Sequence, residues 1–143
     1  MNHPMTEIEF RENHSRIIEY YQYIEMRLGM ICAALLADQE KGWFERLDDY
    51  DGDPLGKLIR KTQESQTEKQ ETWLSPEDFR ELDALRQARN FWTHECFKLN
   101  HHVCFSKGIV RNQAYAKKLN SDLQNVMEWN EKLTEILRKF HMG

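Results

Sequence analysis

Arg89, Asn90 and His94 are the residues of this chain whose types and spacing best suit chemistry. A guanidinium stays charged at physiological pH and presents a fork that matches phosphate oxygens, while an imidazole exchanges protons near neutrality. Asn90 and His94 stand four residues apart and so share a helix face, and Arg86 lies four residues before Asn90 on the same stripe. Arg89 and His94 are five residues apart, about 140° around a helix with roughly 3.6 residues per turn. A long arginine side chain can still swing toward the imidazole, so that both act on one phosphate.

Arg89 also occupies a place where an apolar residue is expected. The seam of its helix runs Leu82, Leu85, position 89, Trp92, Cys96 and Leu99, and a charge interrupts it. Burying an unpartnered guanidinium is costly. Arg89 must therefore find a carboxylate, face a second subunit, or line a wet cleft that receives an anion. The carboxylate alternative is an ion pair with a glutamate such as Glu25 of the first helix, with His94 then a hydrogen-bonded surface residue. Lys98, Lys107 and Arg111 flank the motif helix and the following turn, where they either add local positive surface or form a solvated face. His101, His102, Cys96 and Cys104 match no paired-ligand spacing, so neither a metal nor a cofactor is expected. Tyr21 is expected in the core rather than as a base-stacking platform.

These residues need helices to position them. Thr6-Glu7-Ile8-Glu9 has the form of a capping box, and Ile17, Tyr21, Ile24, Leu28, Ile31 and Leu35 alternate steps of four and three, which predicts one long helix to about Asp38. Asp53-Pro54-Leu55 places a capping carboxylate before a proline and predicts a second, shorter helix through Leu58 and Ile59, after a loop over 48–52. From Thr62 to Thr72 the chain is almost wholly polar, which predicts a polar linker near 62–74. Ser75-Pro76-Glu77-Asp78 is the clearest helix start and opens a third helix carrying Phe79 to about Leu99. A fourth, after Gly108, has Leu119, Leu123, Val126, Leu133, Leu137 and Phe140 on one seam. No segment alternates like a strand between hairpin turns. The reading is one all-α domain over 1–143, an up-and-down bundle of about four main helices.

Composition sets the remaining limits. The chain has 143 residues, 40% hydrophobic and 31% charged, an ordinary soluble balance for a single domain with its own core. No apolar run approaches the roughly 20 residues of a bilayer span. MNHPMTEIEF lacks a basic segment followed by an apolar stretch, so a cytoplasmic location is expected. Cys32, Cys96 and Cys104 are an odd, widely spaced set and read as reduced thiols. The net charge of -4 gives no global attraction to a polyanion, so nucleic-acid binding requires a local basic surface.

The segment Leu85-Arg86-Gln87-Ala88-Arg89-Asn90-Phe91-Trp92-Thr93-His94 resembles the signature of the higher eukaryotes and prokaryotes nucleotide-binding (HEPN) family. In that signature an arginine and a polar residue precede a histidine, here as Arg-Asn-x-x-x-His. Chain length, a long first helix and a shorter helix with Leu55-Gly56-Lys57-Leu58-Ile59 before the motif helix fit the same pattern. Thr93 departs from it, since an aliphatic residue often precedes the histidine. The resemblance implies a metal-independent endoribonuclease of the kind found among toxins, phage-defence proteins and RNA-processing factors. It also implies a homodimer whose two motifs form one cleft, and in a toxin setting a cognate antitoxin. Arg89 then holds the scissile phosphate, Asn90 orients it, and His94 assists proton transfer during attack by the ribose 2′-hydroxyl, with Arg86 and Lys98 as substrate-binding residues. Other family members have lost catalysis and serve as modules that bind nucleotide, RNA or a protein partner.

Overall fold

In a computed structural model, which describes residues 3–98 and 104–140, Thr6 caps the first helix as its sequence predicts. The Thr6 hydroxyl accepts from the Glu9 amide at 3.1 Å, and the Glu9 carboxylate accepts from the Thr6 amide at 3.2 Å. Helix α1 (Glu7–Leu36) buries Phe10, Ile17, Tyr21, Ile24, Leu28, Ile31 and Leu35 along one seam. A four-residue helix α2 (Trp43–Arg46) and a 3-10 turn (Leu47–Asp49) then lead into the bend at Gly52, whose φ of +78° suits glycine.

Helix α3 (Leu55–Glu68) departs from expectation at both ends. Pro54 rather than Asp53 is the capping residue, and no side chain caps the helix. The Asp53 carboxylate instead meets Lys61 at 2.7 Å and Lys57 at 3.5 Å, which lowers its pKa. The linker predicted near 62–74 is helical through Glu68, and only 69–74 connects. The reason is that its polar residues bury with partners. Thr62 donates to the Leu58 carbonyl at 2.7 Å and lies 3.1 Å from Cys32 Sγ. Gln66 grips both backbone groups of Leu74, donating to its carbonyl at 2.7 Å and accepting from its amide at 2.9 Å.

Helix α4 (Pro76–Asn90) starts at a Ser75–Asp78 capping box, with Pro76 in the first turn. Its α-geometry ends at Asn90, short of the expected extent to Leu99, and Phe91–Glu95 forms a π-turn. Leu99 lies outside the described residues. Two short antiparallel strands follow, β1 (Phe105–Ser106) and β2 (Ile109–Val110), pairing Phe105 with Val110 and Ser106 with Ile109. Lys107 and Gly108 turn the hairpin at φ +53° and +74°, the conformation tight hairpins demand. The hairpin, absent from the sequence reading, pins the start of α1. Gly108 C=O accepts from Glu7 N–H at 2.8 Å and Met5 C=O from Val110 N–H at 3.0 Å.

Helix α5 (Gln113–Lys139), capped by Asn112, buries Leu119, Leu123, Val126, Leu133 and Leu137 as its periodicity predicts. It lies along α1; α3 packs on the same long helix and α4 on α3 and α5. The result is an all-α bundle with a minimal hairpin. No helix among the described residues is long and apolar enough to cross a membrane.

Replacing Gln66 by methionine keeps the volume but strands the buried amide and carbonyl of Leu74. A loss of about 1–3 kcal/mol is expected, since an unsatisfied buried group costs its desolvation. The urea midpoint, followed by tryptophan fluorescence, measures it, and an unchanged midpoint would show that the clamp carries no stability.

Candidate functional site

The seam of α4 buries Leu82, Leu85, Trp92 and Cys96, which turns Arg89 toward α1. Its side chain is 24% exposed, and its Nε donates to Glu25 Oε1 at 3.2 Å, with Glu25 itself 21% exposed. Of the destinations open to Arg89, the protein uses the carboxylate. Burial raises the Glu25 pKa above the ordinary value of 4.5, and the nearby guanidinium offsets this only in part. Tyr21, one turn earlier on α1, is buried, and its hydroxyl is pushed to higher pKa by burial and by Asp122, with Arg89 opposing.

Asn90 is exposed beside this pair, its Oδ1 3.5 Å from Arg89 Nη1. His94 is exposed and has no hydrogen-bond or ion-pair partner among the described residues. The π-turn between them changes their relation. Cys96 N–H bonds to Phe91 C=O at 2.9 Å, five residues back rather than four. The wider turn brings positions 89 and 94 closer around the axis than the roughly 140° of an α-helix.

The shifted bond deprives Trp92 C=O of the amide it would have in an α-helix, and two side chains replace it. Cys96 Sγ donates at 3.3 Å, and His14 Nε2 of α1 lies at 2.8 Å. A carbonyl only accepts, so His14 Nε2 carries the proton. The His14 ring stacks on Phe10 and meets Phe97 edge-on. On the other side Trp92 Nε1 donates to Asp122 Oδ2 of α5 at 2.7 Å. Trp92 is thus fixed to both long helices, and with it the turn that carries His94.

The remaining predicted residues are engaged locally. Arg86 pairs with Asp83 at 2.9 Å, its stem against Gly56, and Lys98 pairs with Glu95 at 3.3 Å. Lys107 is in the hairpin turn and Arg111 just beyond it, both exposed. His101 and His102 lie outside the described residues, and no group of three or more His, Cys, Asp or Glu side chains gathers as metal ligands among the described ones. The cysteines are free, and burial raises the Cys96 thiol to a pKa of about 11, so it is a protonated donor rather than a thiolate. His14 and Asp122 were missed in the sequence. His14 had a signal, because it extends the four-three seam of α1 by one step upstream of Ile17. Asp122 had none.

No protein-family model, no curated protein and no solved structure matches the chain. The functional reading therefore rests on its own residues.

The Glu25 carboxyl holds its proton more tightly in the fold than in the unfolded chain. Its contribution to stability is complete below the ordinary glutamate range and is lost as pH rises through its shifted midpoint. A carboxyl carbon NMR titration is expected to place that midpoint above 4.5 and higher again in Arg89→Ala. A midpoint unmoved by Arg89→Ala would mean that the pair does not form in solution.

Proposed function

We propose that this chain is a HEPN-like, metal-independent endoribonuclease acting on RNA through Arg89, Asn90 and His94. The observation that carries this reading is the π-turn between Asn90 and Cys96. Such turns are rare and occur frequently at functional sites. This one leaves His94 exposed while the preceding arginine and asparagine stay at the edge of the bundle.

In the proposed reaction a phosphodiester takes up the Arg89 guanidinium, with the Asn90 amide orienting a non-bridging oxygen. His94 accepts the 2′-hydroxyl proton as that oxygen attacks phosphorus. The 5′-oxygen leaves and takes a proton, which gives a 2′,3′-cyclic phosphate end. Guanidinium supplies the charge and imidazole the proton transfer, so the scheme calls on no metal. A homodimer would supply two such motifs to one cleft, and a cytoplasmic toxin or phage-defence protein, silenced by a cognate antitoxin, is the setting that suits this activity.

One observation favours a second reading, a non-catalytic helical module that binds nucleotide, RNA or a protein partner. Arg89 already has Glu25 as its anion. Cleavage distinguishes the two. With structured and single-stranded RNA in excess chelator, the wild type is expected to cut. Arg89→Ala should lose about 10²–10³-fold and His94→Ala about 10²–10⁴-fold in rate while staying folded. Intact RNA across varied substrates would leave the binding module as the reading.

A further inference from the structure

We propose that the groove between α3 and α4 is a binding track for single-stranded RNA, with Arg60 and Arg80 as its phosphate contacts. The groove encloses about 670 Å³ and is walled by Arg60 and Gln63 from α3 and by Arg80 and Gln87 from α4. That volume falls in the range of sites that accept small ligands.

The two arginines stand out by their lack of a partner. Arg11, Arg46, Arg86, Arg89 and Arg138 each meet a carboxylate. Arg60 and Arg80 are exposed and meet none among the described residues. Asp83, the acid on this groove, is held by Arg86 at 2.9 Å and by Gln87 at 3.2 Å. The groove thus keeps a local positive charge on a chain whose net charge is -4.

Its floor is apolar, with Ile59 and Phe79 lining it between the arginines. Guanidinium planes above an apolar floor suit phosphates and stacked bases together, a combination that single-stranded RNA offers and an acidic peptide does not. The track also leads toward the motif. Asp83, Gln87 and Asn90 follow one another at helical spacing on the exposed face of α4, which continues into the turn bearing His94. This inference rests on the reading of Arg89 and His94 as an RNA-cleaving site and adds where the rest of the strand lies.

The test uses the full chain carrying His94→Ala, so that bound RNA stays intact, and a labelled oligouridylate of about 20 nucleotides followed by fluorescence anisotropy across a salt series. Adding Arg60→Ala and Arg80→Ala should weaken binding roughly tenfold and flatten the salt dependence by about one to two in slope, while Arg60→Lys with Arg80→Lys keeps the slope. Circular dichroism confirms that each variant is folded. Equal affinity and slope in the alanine variant, no binding by the parent, or equal competition by a polyglutamate peptide would overturn the proposal. Cleavage of a dinucleotide, too short to span the groove, reports on Arg89 and His94 separately. RNA binding that depends on the groove without cleavage sinks only the catalytic reading, and cleavage without groove-dependent binding sinks only the track.

Discussion

Phe10, His14, Ile17, Tyr21, Ile24, Leu28, Ile31 and Leu35 follow one another along α1 at steps of four and three, and burying that seam sets the rotation of the whole helix. Nothing else in the bundle is as long or touches as many elements. Once the seam faces inward, Glu25, next to Ile24, must sit at its margin, where α4 passes. His14 must face whatever covers the upper end of the helix. The polar contacts at the candidate site are consequences of this rotation.

The seams of α1 and α4 each carry one polar interruption, His14 in the first and Arg89 in the second. Each is answered from the other helix. Glu25 of α1 meets Arg89, and the Trp92 carbonyl from the π-turn after α4 meets His14. The two contacts lie on either side of Trp92, whose indole is anchored a third time by Asp122. A wide turn is unfavourable because it leaves a carbonyl without its usual amide. Here the missing bond is made good by an imidazole that α1 holds in place and by the thiol of Cys96. The irregularity in α4 and the histidine in the α1 seam therefore explain each other.

Helix starts were legible because their signals are local. Thr6-x-x-Glu9 and Ser75-Pro76-x-Asp78 bring donor and acceptor together within four residues, and no distant contact can add to or remove that information. The end of α3 was not legible, since Gln66 buries its amide only because Leu74 folds back onto it. Composition reports polarity and not whether a polar group has found a partner. The π-turn lies deeper still, because its stability comes from His14, dozens of residues away in sequence. The hairpin left a trace in Gly108, but two-residue strands are too short to alternate. At the site, Arg89 announced itself by breaking an apolar seam, and Glu25 was among the partners that its position allowed. The same argument applied to α1 would have singled out His14.

The Arg89–Glu25 pair constrains what Arg89 can do. A pair sealed in the core would leave the guanidinium unable to exchange its anion, since separating it strands a buried charge at a cost of about 3–5 kcal/mol. A fully solvated pair would be worth about 0–1 kcal/mol and would position nothing. This pair is intermediate, with both side chains between one fifth and one quarter exposed. The Glu25 pKa is raised in spite of Arg89, so the attraction does not repay the burial of the carboxylate. Glu25 orients the guanidinium without satisfying it. An incoming phosphate, better matched to the fork and arriving from the solvent side where Asn90 lies, competes with a carboxylate that is already disfavoured as an ion. The ion pair that argues for a structural role is thus also a way of keeping Arg89 extended at the edge of the bundle until an anion arrives.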